Sequence, residues 1–286
     1  MNYKDYFSEI LKLKEAKDFA RVIKKWDVLS NNLMMTKNVQ MVLPDLLWVS
    51  KPGVGKTHLL KLMSEYLYSK QNLIEFYGNV KYFEFMLDYC PPTQQFNEVK
   101  RMINEVSNAA GFRNYYKGII SIDIDEWLGH CEEKYFLSFL EYLSSNSNDW
   151  LIVFNVASDN KAEINKLESI LSMFFRIEKS NLYLPESNDF LEFVVDRLNS
   201  YNLLLSDQAK ILLLKTIEKL RENKYFDGYK TLVMLCQDIV YEFFSIKEVD
   251  ENIITDEHLK EFAPDSKYIE RATWKAENKS KIGLIK

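Results

Sequence analysis

The chain has 286 residues and a net charge of −5, and 47% of its residues are hydrophobic. That length suits one large domain or, more naturally, a core domain with a smaller one, and the hydrophobic content is ample for a packed core. The negative charge gives no support to a general nucleic-acid-binding role, so any basic surface would have to be local.

The predicted elements alternate between helix and strand over the first 184 residues. Apolar residues spaced by three and four predict a long helix over residues 3–32. Short apolar or aromatic runs predict five strands: before residue 50, over 81–87, from 118, over 150–157 and near 181–184. Helices are predicted between them, at about 57–68, 96–109, 132–145 and 161–174. This alternation indicates a parallel, doubly wound α/β sheet, which binds ligands at the carboxyl ends of its strands.

The pattern changes after Pro185, where no further strand is predicted. Helical periodicity recurs over 187–200, 206–223, 228–245 and 256–262, which predicts a small all-helical domain. From Pro264 onward apolar residues are few, and we expect a flexible or strap-like tail. The expected divisions are a helical segment that packs on the core (1–44), an α/β core (45–185), the helical domain (186–262) and the tail (263–286).

A glycine-bearing loop follows the first predicted strand and opens the next helix. It matches the phosphate-binding P-loop pattern, except that serine stands at the first glycine. Glycine permits backbone angles that turn successive N–H groups into one concavity, which the positive end of the following helix also faces. We expect Lys56 to reach the β- and γ-phosphates of ATP and Thr57 to ligate Mg²⁺. The residues expected at the nucleotide are Ser50, Pro52, Gly53, Val54, Gly55, Lys56, Thr57 and His58.

Three carboxylates follow the apolar run that begins at Gly118. An ATPase needs one carboxylate to hold Mg²⁺ and often another to activate water. In one register Asp123 ends the strand and holds the metal, which leaves Ile124 where a catalytic glutamate often sits. In the other, the strand runs two residues further, with Asp125 on the metal side and Glu126 polarising the attacking water. We favour the pair of Asp125 and Glu126.

Asn155 lies inside an otherwise apolar predicted strand. A polar side chain there costs free energy unless it is hydrogen-bonded. At the carboxyl end of the strand its amide could orient the attacking water, or it could instead bond the neighbouring loop as a structural residue.

This order of parts resembles the AAA+ ATPases over residues 3–262: a leading helix, a P-loop, an acidic strand, a polar strand, an arginine before the last strand and a helical lid. The resemblance implies that Asn155 occupies the sensor-1 position. It also implies that Arg176 is an arginine finger that completes the site of an adjacent subunit, with Arg113 as the second candidate. Lys230 stands where the family often has the sensor-2 arginine, which keeps the charge but loses the bidentate fork. The loop containing Tyr89 lies where related proteins carry substrate-gripping pore loops.

The resemblance implies a Mg²⁺-dependent ATPase that works as an oligomeric ring or arc, as a nucleotide-driven switch or remodeller of a protein or protein–nucleic-acid complex. Ser50, the uncertain acidic register and Lys230 depart from the family pattern and favour an alternative, an adaptor or scaffold that binds nucleotide and hydrolyses it slowly. A helicase- or clamp-loader-type ATPase is a further alternative, which no basic stripe supports.

The expected ligands and location follow from the same reading. We expect ATP or ADP with Mg²⁺, further copies of the chain, and a protein partner that the sequence does not identify; nucleic acid is not indicated. Cys90, Cys131 and Cys236 fit neither a disulfide framework nor a zinc site and suit a reducing compartment. No apolar run approaches about 18 residues, and the first residues are polar, which predicts a cytoplasmic protein without a membrane span.

Overall fold

The computed structural model describes residues 5–33, 43–51, 53–70, 73, 82–89, 93–110, 118–147, 150–223, 226–245 and 252–269. By their contacts the residues form two compact units. The first comprises residues 1–51 and 56–183, and the second comprises residues 52–55 and 184–286. A hydrophobic cluster of its own lies within each unit.

Five strands form the centre of the first unit: β1 (Asp45–Ser50), β2 (Tyr82–Met86), β3 (Gly118–Asp123), β4 (Trp150–Ala157) and β5 (Ile177–Asn181). They make one sheet in the order β2-β3-β4-β1-β5, and every pair is parallel. Parallel neighbours require crossover connections, which helices supply here. The predicted parallel α/β sheet is therefore confirmed.

Helices cover both faces of this sheet. They are α1 (Tyr6–Lys12), α2 (Lys17–Leu33), α3 (Lys56–Ser69), α4 (Thr93–Ala110), α5 (Lys134–Asn146) and α6 (Lys161–Phe174). Apolar residues of α4, α5 and α6 join one core with Leu47 and Val49 of β1. Because side chains alternate along a strand, Trp48 faces the other side. There its ring lies 5.2 Å from that of Phe19 on α2.

The long helix predicted over residues 3–32 is in fact two helices. The chain breaks at Leu13, whose backbone is extended. The backbone oxygen of Glu15, just beyond the break, accepts a 2.8 Å hydrogen bond from the N–H of Tyr183, which follows β5. The break lets α1 pack on α3 while α2 packs on β5. Apolar spacing alone missed it because both helices bury apolar faces.

The strand predicted near residues 181–184 lies earlier, because β5 spans Ile177–Asn181. It is an edge strand that mixes apolar and charged side chains, so its sequence carries little strand signal. The apolar residue Leu182 follows it and continues the pairing, since its N–H donates to the backbone oxygen of Val49 at 2.7 Å.

The second unit contains the helices α7 (Ser187–Asn199), α8 (Asp207–Arg221) and α9 (Gly228–Ser245), with a 3₁₀ helix at Glu257–Phe262. It also contains two unpredicted strands, β6 (Leu204–Leu205) and β7 (Ile253–Ile254), which pair in parallel. Strands of two residues are too short to show an alternating pattern. The regular secondary structure of this unit is therefore helical except for this one pair, within the residues that the structure describes.

Several other predictions meet the structure only in part. Among the described residues, no helix is both long and apolar enough to cross a membrane. Cys131 and Cys236 are buried free thiols, whereas Cys90 lies outside the described residues. The tail expected from residue 263 is described only as far as residue 269.

Asp45 begins β1, at the amino end of the strand. Its Oδ1 accepts a 2.8 Å hydrogen bond from the N–H of Ile152 on β4. Burial raises the pKa of Asp45 from an ordinary 3.8 to about 7, although that N–H opposes the shift. The folded protein therefore favours the neutral acid, and ionisation of Asp45 opposes folding.

We expect Asp45 to make the protein less stable as the pH rises from about 4 to about 7. In that window the unfolded chain has already lost the Asp45 proton while the folded chain retains it, so this carboxyl lowers the free energy of unfolding by at most about 1.4 kcal/mol per pH unit. Asp45→Asn keeps an acceptor oxygen for Ile152 and removes the titration. Urea unfolding at about pH 5 and about pH 8 should show a smaller pH dependence in the variant. Equal pH dependence in the two proteins would contradict this assignment.

Candidate nucleotide site

A glycine turn connects β1, which ends at Ser50, with α3, which begins at Lys56. Gly53 and Gly55 have φ angles of +78° and +86°, which residues with a β-carbon rarely adopt. The following helix presents the positive end of its dipole to this turn. The turn thus has the strand–turn–helix arrangement that the P-loop pattern requires. Pro52 lies outside the described residues.

Lys56 and Asp123 form an ion pair at the carboxyl edge of the sheet. Lys56 Nζ lies 3.0 Å from Asp123 Oδ2, and each side chain is 22% exposed. β3 ends at Asp123 and a 3₁₀ helix begins at Asp125, so the register in which the strand continues two residues further is wrong. Ile124 is fully buried in the core on the other face of the sheet. Asp123 is therefore the acid that β3 delivers to Lys56.

Asp125 and Glu126, which we favoured as metal ligand and water-activating residue, bond to backbone N–H groups. Asp125 Oδ1 accepts from the N–H of Ala157 at the end of β4. Desolvation of the carboxyl, with a smaller contribution from Asp123, raises the pKa of Asp125. Glu126 Oε2 accepts from the N–H of Tyr89, after β2, at 2.5 Å. Both acids therefore join the turn after β3 to neighbouring strand ends, and their proposed roles stay predictions.

Glu84 is a site residue that the sequence analysis missed. Thr57 Oγ1 donates a 3.0 Å hydrogen bond to Glu84 Oε1. The aromatic run over 81–87 predicts a strand, and Phe83 and Phe85 do pack against the core, but the run itself gives no role to the residue between them. Strict alternation along β2 was the signal that could have placed Glu84 on the opposite face.

Asn155 is buried at 4% exposure, in register with Asp123 on the neighbouring strand. Its Nδ2 donates a 2.7 Å hydrogen bond to the hydroxyl of Ser121 on β3. Within the described part of the chain, Asn155 Oδ1 and the Ser50 hydroxyl have no hydrogen-bond partner. Two buried polar atoms near the ends of β4 and β1 thus lack a hydrogen bond within the described part of the protein.

Within the second unit, the glycine turn touches the start of α9. The N–H of Tyr229 donates to the backbone oxygen of Gly53 at 3.3 Å. Gly228 has φ +47°, and a β-carbon there would lie 1.8 Å from that same oxygen. Lys230, the expected sensor-2 residue, follows in the first turn of α9, where it is exposed and lies 3.6 Å from Asp227.

Val54 of the glycine turn is buried, whereas three of the other predicted residues, Arg176, His58 and Tyr89, are exposed. Arg176 is exposed directly before β5, and it forms no salt bridge with any other described residue. His58 is exposed in the first turn of α3, whereas Arg113 lies outside the described residues. Tyr89 is held in place, because its ring stacks on His130 at 3.9 Å and its hydroxyl donates to Glu133 at 2.7 Å.

The residues present fit a magnesium–nucleotide pair better than a metal bound by protein alone. Among the described residues no group of three or more His, Cys, Asp or Glu could hold a metal ion. Mg²⁺ is usually bound through one or two carboxylates together with phosphate oxygens and water. Thr57 and Asp123 would hold such an ion, and the glycine turn with Lys56 would hold the phosphates. The two buried polar atoms without hydrogen-bond partners, Asn155 Oδ1 and the Ser50 hydroxyl, also fit a polar ligand at this edge of the sheet.

Removing the Ser121 hydroxyl should leave the buried Asn155 amide without its hydrogen bond. We expect Ser121→Ala to lower the free energy of unfolding by about 1–3 kcal/mol, because a buried polar group would lose its partner. Ser169→Ala, at an exposed position of α6, is the matched control and should change stability by less than about 0.5 kcal/mol. Urea unfolding measures both, and equal effects would show that the bond to Asn155 contributes nothing.

Gly228 should not tolerate a side chain. We expect Gly228→Ala to lower the free energy of unfolding by more than about 2 kcal/mol, because a left-handed backbone and a contact with Gly53 are disturbed together. Gly129→Ala is the control, since a β-carbon at that position would meet nothing within 4 Å. Circular dichroism during urea unfolding measures the difference. Similar stabilities for the two variants would mean that the second unit can relax around the added carbon.

Comparisons with known proteins identify the fold of the chain by its structure but not by its sequence. The sequence matches no family model, and no curated protein matches it. Two mutant structures of RuvB from Thermotoga maritima are similar to this chain. The first matches at a TM-score of 0.51 with 12% identity, over 85% of this chain and 67% of its own. The second matches at a TM-score of 0.53 with 16% identity, over 84% of this chain and 68% of its own. PCH-2 of C. elegans matches at a TM-score of 0.51 with 16% identity, over 94% of this chain and 72% of its own. RuvB and PCH-2 are both AAA+ ATPases. The chain therefore has the fold of the AAA+ P-loop ATPases.

Proposed function

We propose that the chain is a Mg²⁺-dependent ATPase that works as an oligomeric switch or remodeller of a protein or protein–nucleic-acid complex. The observation that carries this proposal is the ion pair between Lys56 and Asp123, in which Nζ lies 3.0 Å from the carboxylate. Lys56 directly follows a glycine turn whose two glycines have positive φ angles. A phosphate-binding lysine and a metal-binding acid are thereby brought together at a helix amino terminus. The AAA+ fold supports the same proposal.

In this proposal the residues of the site divide the work of phosphoryl transfer. Lys56 and the N–H groups of the glycine turn hold the phosphates, and Thr57 with Asp123 holds Mg²⁺, whose chemistry is to neutralise charge on the phosphates. Asn155 positions water through its amide, which Ser121 orients. Glu126 is the candidate for polarising that water, and it would first have to leave the Tyr89 N–H.

Arg176 is proposed to act on the site of an adjacent copy of the chain. Its side chain is exposed at the end of α6 and has no ion-pair partner among the described residues. A guanidinium supplied from a neighbour neutralises charge that develops on the transferred group. Lys230 is proposed to contact nucleotide in the manner of a sensor-2 residue, as a point charge rather than a fork.

ATP turnover and light-scattering mass test the proposal together. We expect the wild type to assemble with ATP and Mg²⁺ and to hydrolyse ATP, and Lys56→Ala to bind ATP at least about tenfold more weakly. Glu126→Gln should assemble but stall. Arg176→Ala should bind ATP normally and lose at least about 10³-fold in turnover. Arg101→Ala, an exposed arginine of α4, should behave as wild type.

Mixing two impaired variants, at an ATP concentration too low to occupy the Lys56→Ala site, separates a finger that acts on a neighbour from one that acts within its own subunit. A subunit with Arg176→Ala still has Lys56, and a neighbour with Lys56→Ala still has Arg176. Their mixture should therefore recover part of the turnover. If the mixture stays inactive although it co-assembles, Arg176 does not serve the adjacent site.

A second candidate function is an adaptor that binds nucleotide and turns it over slowly. The specific observation that favours it is the turn after β3, where Ile124 is buried and Glu126 is bonded to Tyr89, so that no carboxylate directly after Asp123 is available to activate water. A wild type that binds ATP, changes mass with it and hydrolyses it no faster than Glu126→Gln would support the adaptor over the remodeller.

A further inference from the structure

Glu84 lies on the face of the sheet that carries Asp123. Its neighbours Phe83 and Phe85 pack against the core on the opposite face, and side chains alternate along a strand. In register, Glu84 stands opposite Ser121, two residues before Asp123. The residue is exposed, so its carboxylate is accessible to a ligand that enters from solvent.

The hydrogen bond between Thr57 and Glu84 prepares the threonine to bind a cation. A hydroxyl has one proton and two lone pairs, and Thr57 directs that proton to Glu84 Oε1 at 3.0 Å. Its lone pairs are therefore left for a metal ion. Outer partners of this kind fix the orientation of a metal ligand and strengthen it as a donor.

The acids around this edge of the sheet have separate partners. Asp125 bonds the N–H of Ala157 and Glu126 bonds the N–H of Tyr89. Asp123 pairs with Lys56, and Glu84 pairs with Thr57. Of these four acids, Asp123 and Glu84 are the two bonded to side chains of the first two residues of α3. A Mg²⁺ ion bound with phosphates typically takes one or two carboxylates.

We propose that Glu84 is a carboxylate of the magnesium site, which holds the Thr57 hydroxyl and accepts hydrogen bonds from water on a Mg²⁺ ion bound with ATP. This inference rests on the proposed function and adds to the site an acid from β2. Because of its negative charge, Glu84 should weaken nucleotide binding in the absence of Mg²⁺ and strengthen it in the presence of Mg²⁺. Without Mg²⁺ the carboxylate repels the phosphates, and with Mg²⁺ it attracts the cation.

Binding of a fluorescent ATP analogue (mant-ATP), titrated with Mg²⁺ and repeated in EDTA, tests the inference without relying on hydrolysis. We expect Glu84→Gln to raise the Mg²⁺ concentration needed for half-maximal tight binding by about tenfold. In EDTA the same variant should bind the analogue about twofold more tightly, because a repelling charge has been removed. Glu84→Asp, which keeps the charge on a shorter side chain, should shift the Mg²⁺ requirement without the gain in EDTA.

Glu141→Gln is the matched control, because it makes the same chemical change at an exposed position of α5. A double variant with Thr57→Ala completes the test: the part of the Glu84→Gln effect that acts through the hydroxyl should disappear, while the gain in EDTA, which depends on charge alone, should remain. Weaker binding of Glu84→Gln in both conditions would mean a structural role and would overturn the inference.

The inference and the proposed function can fail separately. If the wild type binds no analogue with or without Mg²⁺, both are overturned. If the wild type binds it with Mg²⁺ and Lys56→Ala does not, while Glu84→Gln matches Glu141→Gln, the nucleotide site stands and only the role of Glu84 is overturned.

Discussion

The alternation of side chains along parallel strands, with helices on both faces of the sheet, is the constraint on which the site depends. A strand buried on both faces is mostly apolar, and ligands of a parallel sheet bind at the carboxyl ends of its strands. At the end of β3, consecutive side chains lie on opposite faces of the sheet. Asp123 reaches Lys56 on one face, whereas Ile124 packs in the core on the other. The same rule places Glu84 beside Thr57 on the neighbouring strand. Core packing thereby decides which acids meet the P-loop.

The ion pair between Lys56 and Asp123 also sets the charge balance of the site. A lysine side chain that is only 22% exposed needs a nearby counter-charge for its ammonium group, and Asp123 supplies it. Phosphates arriving at Lys56 would compete with Asp123 for the same cation. The carboxylate would then need a new partner, which Mg²⁺ provides in the proposed function. Metal and nucleotide are therefore expected to bind together rather than in sequence.

Much of the fold was predictable because it follows from local periodicity. The apolar strands β3 and β4 and the helix α6 have strong patterns, and the glycine turn before Lys56 has a specific one. What periodicity could not predict depends on tertiary contacts. The break at Leu13 depends on where two helices pack, and the position of the edge strand β5 is set by pairing with β1 rather than by its own residues.

The candidate site was predictable to a similar depth. Lys56, Thr57 and the acids after β3 were found from motif and spacing, since those features lie close together in sequence. The hydrogen-bond partners of these residues were not, because each partner is distant along the chain: Glu84 for Thr57, Tyr89 for Glu126 and Ala157 for Asp125. Such pairings arise only when the strands come into register.

The short pairing of β6 with β7 bears on the order in which the second unit can form. Leu204 and Leu205 pair with Ile253 and Ile254, and the whole of α8 and α9 lies between the two strands in the sequence. The residues that follow β7 bring Leu259 and Phe262 into the same core, where the Phe262 carbonyl accepts a hydrogen bond from Thr216. The helices of this unit therefore cannot complete their core until the chain has been synthesised through about residue 262. During translation the first unit can finish folding while the second still waits for its last strand.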